Sequence, residues 1–417
     1  MPRIVSVDAM ADTFRPGECL YLPGSAGEPT ALIATLVDQP ARSRGMRIVS
    51  SAVPGINPLP IDALDPTAEV TGLFMQPGLR RAQREGRFHN LPLSFAGFVE
   101  HVQSRLFIDT CVVHVAPPDK AGRCSLGAAV EFTALVAARA SRVVALLNPN
   151  IPSIPGADSL PYAAFDCVAE VETALPTYAP GKPSAAATII AGHIAGLVED
   201  GSALQAGLGK VPEALFALLH DRRNLGLQSG MLGDGALGLA AAGALDPTFA
   251  HGSCVWVGSA ALYRDLAHVE GFAVRGCDVT HDICRLARAD RFVAVNSALS
   301  VDLFGQANLE YAGTRVVSGV GGAPDFAQAA RLSRGGVSIV ALPASYGTPT
   351  ASRIVPRLMA GTVALTRQMV DVVVTEYGIA DLRGRTVAAR AAALIAIAAP
   401  SFQPDLETAW AEMRQLM

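Results

Sequence analysis

Two glycine-rich turns and a few scattered nucleophiles and bases carry the chemistry this sequence can offer. Gly207-Leu208-Gly209 follows the strand segment Leu204-Gln-Ala206 and precedes Lys-Val-Pro-Glu-Ala-Leu. Pro212 suits a first helical turn, where its missing N–H costs nothing, and Glu213 complements the positive helix end. Bare amides in such a turn face a phosphate or a developing oxyanion; the plainer alternative is a tight strand-to-helix connection. Gly319, Gly321 and Gly322 form a second loop, where glycine permits positive φ and close backbone approach. Glu131, in Gly127-Ala-Ala-Val-Glu-Phe-Thr, is a carboxylate able to serve as nucleophile or as base for water. Its plain alternative is a helix N-terminal acid held by the dipole. His114, His251 and His281 are candidate bases, each isolated in sequence and equally readable as structural. Cys124 and Ser229 are nucleophiles by residue type alone, since no G-x-S-x-G elbow accompanies them. No residues have metal-ligand spacing, so no metal is expected.

The elements that must position these groups read as strands alternating with helices. Apolar runs rich in β-branched residues include Met46–Ser50, Thr110–Val115, Arg142–Leu147, Arg291–Val295, Val337–Leu342 and Asp371–Thr375. Helix-length segments include Pro29–Val37, Glu131–Ala140, Pro212–His220 and Thr386–Ile397. The alternation predicts βαβ units and parallel sheets. Pro176-Thr-Tyr-Ala-Pro-Gly-Lys-Pro183 is the best boundary, giving an N-terminal α/β domain over 1–180 and a C-terminal one over 181–417.

The bulk composition agrees. A chain of 417 residues exceeds one ordinary core and predicts two domains of about 200 residues. Hydrophobic residues make up 50% and charged ones 17%, as in parallel sheets covered on both faces. A net charge of -4 leaves no basic footprint, so no nucleic-acid partner is expected. The seven cysteines are scattered without a C-x-x-C pair, which predicts neither a zinc knuckle nor a disulfide framework and suits a reduced, cytoplasmic compartment. The N-terminal Met-Pro-Arg-Ile-Val-Ser-Val-Asp lacks the apolar core of a secretory signal. No uninterrupted apolar run reaches the ~18 residues of a membrane span.

Longer motifs make a family resemblance. Val374-Thr-Glu-Tyr-Gly-Ile-Ala-Asp-Leu-Arg-Gly384 is the most specific, matching V-T-E-Y-G-x-A-x-L-R-G. Arg334-Gly-Gly-Val-Ser-Ile-Val-Ala-Leu-Pro343, Ser352-Arg-Ile-Val-Pro356, Val115–Gly127, Asn148-Pro-Asn-Ile-Pro152 and Asn296–Gln306 add to it, as does G-x-G-x-x-P at 207–212. Across roughly residues 15 to 405 the chain resembles the acetyl-CoA hydrolase/transferase family, in its 4-hydroxybutyrate CoA-transferase branch. The resemblance implies two open parallel-sheet domains of the CoA-transferase type, a homo-oligomer, coenzyme A or acyl-CoA as substrate, a small carboxylate as possible acceptor, and no permanently bound cofactor. It gives Glu376 and Arg383 two readings: ordering the site or binding a carboxylate, or forming a buried ion-pair network.

The resemblance also marks departures. The family reads L-G-I-H-T-E-M-x-x-D-G where this chain has Leu225-Gly-Leu-Gln-Ser-Gly-Met-Leu-Gly-Asp-Gly235. Gly230 therefore occupies the position of the covalent glutamate nucleophile and Gln228 that of the histidine. Ala323 replaces a glutamine after the second loop, and Ser300 a glutamate. Glycine cannot attack a thioester, so the implied ping-pong route through a glutamyl anhydride is not expected. Hydrolysis or another reaction of acyl-CoA by a non-glutamyl route remains, with Gly207, Gly209, Gln228, Ser229, Gly230, Gly319, Gly321 and Gly322 lining the site and Glu131 doing acid/base work. A catalytically inactive CoA-ester sensor or partner protein is the alternative.

Overall fold

A computed structural model describes residues 1–348, 350–358 and 363–416. The chain divides into two compact units, Met1–Ala179 with Ala250–His281, and Pro180–Phe249 with Asp282–Met417. The first cut falls inside the Pro- and Gly-rich stretch at 176–183, whereas the excursion 250–281 carries no comparable sequence mark.

The first unit is built on an eight-stranded sheet in the order Arg3–Ile4, Cys167–Glu170, Arg142–Leu147, Thr110–Val115, Cys19–Leu22, Arg47–Ser50, Glu69–Gly72, Phe88–Asn90. Every pairing in it is parallel. Thr110–Val115 is buried at all six positions and Cys19–Leu22 at all four. Such strands lack a polar face because helices cover both sides. The excursion adds the parallel pair His251–Trp256 and Phe272–Val274.

In the second unit Gly226–Leu232, Ala203–Ala206, Phe292–Ser297, Val337–Ala341 and Val372–Thr375 lie side by side, and Gly378–Asp381 closes the edge antiparallel. One core cluster packs Phe326, Ala329 and Ala330 of helix Ala323–Leu332 against Phe292 and Ala294. That burial fixes where the helix begins, and hence where the loop before it lies. Most predicted elements sit within a residue or two of their sequence positions. Glu131–Ala140 does not: its helix is only Thr133–Ala137, and Glu131 lies outside it.

Candidate functional site

Strand order reverses once in each unit, and Glu131 in the first unit and Gly207 in the second lie beside those points. In the first sheet the chain runs outward from Cys19–Leu22 through Phe88–Asn90, then returns with Thr110–Val115 on the other side of Cys19–Leu22. The carboxyl ends of two such strands leave a crevice uncovered by crossover helices, the usual ligand position in open α/β sheets. Gly24, Ser25 and Glu28 follow the first of these strands, His114 lies in the second, and Ser51 follows the neighbouring Arg47–Ser50.

Glu131 is anchored here, buried at 3% exposure. The Ser25 hydroxyl donates to Glu131 Oε1 at 2.6 Å and the Ser51 hydroxyl to Oε2 at 2.5 Å. Ser51 Oγ in turn accepts from Gly24 N–H at 3.0 Å and lies 3.2 Å from Tyr21 OH. The backbone is held as firmly. Val130 N–H donates to Cys254 O and Cys277 N–H to Glu131 O, at 3.0 and 2.7 Å. Glu131 adopts φ +43°, a left-handed conformation costing an L residue about 1–2 kcal/mol, which these bonds from the 250–281 excursion must offset. Gly24 is required by close approach, since a Cβ there would stand 2.3 Å from Ser51 O.

Burial pushes the Glu131 carboxyl above its ordinary range, opposed by hydrogen bonds from Ser25, Ser51 and Gly24. A second carboxyl, Glu28, is pushed up to about 7 by burial, with Asn57 opposing. Asn57 joins the two: its Oδ1 accepts from Ser25 N–H at 2.6 Å, and its Nδ2 donates to Ser25 O at 3.0 Å. His114 lies 3.0 Å from Glu28 O through Nδ1 and 3.0 Å from Asn148 Nδ2 through Nε2. A carbonyl only accepts and an amide nitrogen only donates, so Nδ1 carries the proton and Nε2 the lone pair. Burial lowers His114 to about 4, which keeps it neutral.

In the second unit the chain leaves Ala203–Ala206 for Gly226–Leu232 on one side and returns with Phe292–Ser297 on the other. The reversal point therefore opens at Gly207. Gly209 takes φ +128° and caps helix Lys210–Leu218. Ser229 donates its hydroxyl to Ala206 O at 2.9 Å and lies 3.1 Å from Met231 O, so Gly230 stands level with Gly207 on the neighbouring strand. Helix Ala323–Leu332 packs Phe326, Ala329 and Ala330 against Phe292 and Ala294, and the loop carrying Gly319, Gly321 and Gly322 leads into its N-terminus. Gly321 needs its glycine at φ +55°, whereas Gly322 caps the helix at φ −86°. Glu213 and Asp234 face one another nearby; burial, then Asp234, raises Glu213, and Gly235 N–H opposes.

A cavity of about 370 Å³ in this unit is lined by residues including Ser300, Asn308, Tyr311, Tyr346 and Arg353. Arg353 stacks 4.7 Å over the Tyr346 ring and donates from Nη1 to Leu299 O at 2.9 Å. Its Nε is buried with no hydrogen-bond partner among the described residues, and burial lowers the group below its ordinary range. Glu376 accepts from Ala344 N–H at 2.8 Å, which steadies the segment carrying Tyr346.

Comparison with known proteins agrees with this geometry. Residues 2–173 match the acetyl-CoA hydrolase/transferase N-terminal domain and residues 258–410 its C-terminal domain. The 4-hydroxybutyrate coenzyme A transferase of Clostridium kluyveri is 33% identical over 396 residues, covering 92% of this chain and 91% of that protein. The chain belongs to the acetyl-CoA hydrolase/transferase family. Its fold is that of solved CoA-transferase structures: 4-hydroxybutyrate CoA-transferase from Porphyromonas gingivalis superposes with TM-score 0.80 at 29% identity, covering 100% of this chain and 98% of that one. RipA from Yersinia pestis superposes with TM-score 0.91 at 26% identity, covering 99% and 98%.

Within this acetyl-CoA hydrolase/transferase chain several sequence-level readings change. Glu131 is not held by a helix dipole; serine hydroxyls and a strained backbone hold it. Cys124 is buried and its thiol pushed up to about 11, while Ser229 spends its proton on backbone carbonyls, so neither is an activated nucleophile. His281 is lowered by burial to about 3, and His251 is buried against the Phe272 ring at 5.2 Å. Among the described residues Glu376 and Arg383 form no buried network: Arg383 pairs with Asp381 at 2.7 Å, both half-exposed. Sequence reasoning missed Glu28, Ser25, Ser51 and Arg353. Only Arg353 lay in a quoted motif, Ser352–Pro356.

Proposed function

We propose that this chain processes acyl-CoA thioesters by hydrolysis, or by another reaction that forms no glutamyl-CoA intermediate. The observation that carries this is Glu131, a buried carboxyl pinned by two hydroxyls at a strand-order reversal, in a chain with glycine at 230. A raised carboxyl is a stronger base than an ordinary one, and efficiency peaks near the working pH. Glu131 would take a proton from water as its oxygen attacks the thioester carbonyl. Tetrahedral collapse then expels CoA thiolate, and Glu131 returns the proton to sulfur, leaving acid and free thiol.

The amides of Gly207 and Gly209, the segment Gln228–Gly230, and the loop Gly319–Gly322, all of the second unit, are assigned to binding the CoA ester. Arg353, with an unused donor beside Tyr346, is assigned to an anionic part of the CoA ester. No metal or permanently bound cofactor is needed for these steps. The described residues contain no helix long and apolar enough to cross a membrane, and the described cysteines form no disulfide, which supports a cytoplasmic setting. A homo-oligomer and a small carboxylate acceptor remain part of this reading by family likeness.

The test is thiol release from a panel of acyl-CoAs, with and without acetate, with products and intact protein weighed by mass spectrometry. Thiol release without acceptor and without a CoA adduct on the protein is expected. Acyl transfer to acetate through a protein-bound CoA would overturn the proposal. Binding without turnover would make the chain a CoA-ester sensor instead.

A further inference from the structure

Cys254, Cys277 and His281 are far apart or unremarkable in sequence, yet all three are buried and each offers a ligand atom within 4.8 Å of the others. Cys254 lies in strand His251–Trp256, Cys277 opens the short helix Cys277–Thr280, and His281 caps it. The C-x-x-x-H spacing puts the thiol and the ring one helical turn apart. Strand pairing supplies the second sulfur.

We propose that Cys254, Cys277 and His281 form a binding site for one soft divalent cation, best suited to Zn²⁺. Two thiols and one imidazole are the donor set zinc prefers, and three protein ligands leave a fourth position for water or another small ligand. Tetrahedral geometry at ordinary zinc bond lengths separates such donors by roughly 3.5–3.8 Å, so the present spread needs to contract by only about an ångström.

The surroundings of His281 prepare it for this role. Thr280 Oγ1 lies 3.2 Å from Gly276 O, to which it can only donate, and 3.0 Å from His281 Nδ1. With its own hydrogen so placed, Thr280 accepts from Nδ1–H and leaves Nε2 as the lone-pair nitrogen. A hydrogen bond from the remote nitrogen that fixes tautomer and ring orientation is the usual support of a metal-bound histidine. Phe95 packs on the ring at 4.9 Å between centroids.

The charge balance favours a dication. Binding releases one proton from each thiol, and two thiolates neutralise Zn²⁺, so the buried site carries no net charge. The site also touches the strained backbone of Glu131: its N–H faces Cys254 O at 3.4 Å, and Cys277 N–H donates to its C=O at 2.7 Å. Metal would tie the strand and helix that grip Glu131. This inference does not depend on the acyl-CoA reading.

The test titrates the metal-free full chain with Zn²⁺ and with Co²⁺. Expected are one ion per chain by elemental analysis, about two protons released per Zn²⁺ near neutral pH, and a thiolate-to-cobalt charge-transfer band. Cys277→Ser and, to preserve packing against Phe95, His281→Phe should each weaken binding by more than about 100-fold, with far-UV dichroism unchanged. Cys284→Ser, at an exposed cysteine, should bind as wild type. Absence of stoichiometric binding to the wild-type chain overturns the proposal. So does unchanged affinity in either folded ligand variant.

Discussion

Ser51 Oγ lies 2.5 Å from Glu131 Oε2, across 80 residues of sequence. Glu131 accepts a second hydroxyl from Ser25, so both carboxyl oxygens are fixed and the group cannot rotate away from its crevice.

Glu131→Gln keeps the size and one acceptor oxygen, replaces the other with an NH2 donor, and removes the titratable group. Turnover of the preferred acyl-CoA should fall about 10²–10⁴-fold, the range of acid–base catalysis, with KM little changed. Thiol release and far-UV dichroism on the same preparation check this. A folded variant with wild-type turnover would remove Glu131 from the mechanism.

Gly24→Ala places a methyl 2.3 Å from Ser51 O. Backbone cannot yield as a side-chain tip can, so the clash should cost about 1–3 kcal/mol and disturb the Ser51–Glu131 bond. Urea denaturation measures the first effect, and turnover the second. Gly207→Ala is the contrast, because nothing lies within 4 Å of its added Cβ.

Glu28 gives a signed pH prediction. Its carboxyl rises from 4.5 unfolded to about 7 folded, so between those values the folded state binds more protons. Stability relative to Glu28→Gln should therefore fall by about 3 kcal/mol as pH rises through that window. His114 and His281 act oppositely. They drop from 6.5 to about 4 and about 3, so their contribution is full above pH 6.5 and is lost on acidification. Urea midpoints for wild type and Glu28→Gln across this range separate the two effects; parallel profiles would contradict the Glu28 assignment.

Arg353→Ala removes a cation whose Nε has no hydrogen-bond partner among the described residues. If it meets an anionic part of the CoA ester, affinity should fall at least about tenfold, the scale of a charge-assisted bond of about 1.5–3 kcal/mol. The wild-type affinity should weaken with salt more steeply than the variant's. Isothermal titration with CoA at two ionic strengths tests both.

The sequence by itself determined the α/β class, the parallel sheets and the position of most elements. Continuous apolar strands such as Thr110–Val115 state their burial locally, and the motif Val374–Gly384 states the family. It also showed the glycine turns at Gly207 and Gly319, because backbone permissiveness is a property of the residue. What it could not show is which distant groups converge. Glu131 read as a helix-dipole acid because Ser25 and Ser51, which actually hold it, arrive from other strands. Glu28 sits in an unremarkable turn, and its raised pKa comes wholly from burial. Cys277 and His281 share a C-x-x-x-H spacing, but Cys254, which completes the cluster, comes from a distant strand. Strand order decided the meeting of Ser25, Ser51 and Glu131, since a reversal in a parallel sheet brings together loops that the chain keeps far apart; the packing of the 250–281 excursion decided that of Cys254, Cys277 and His281.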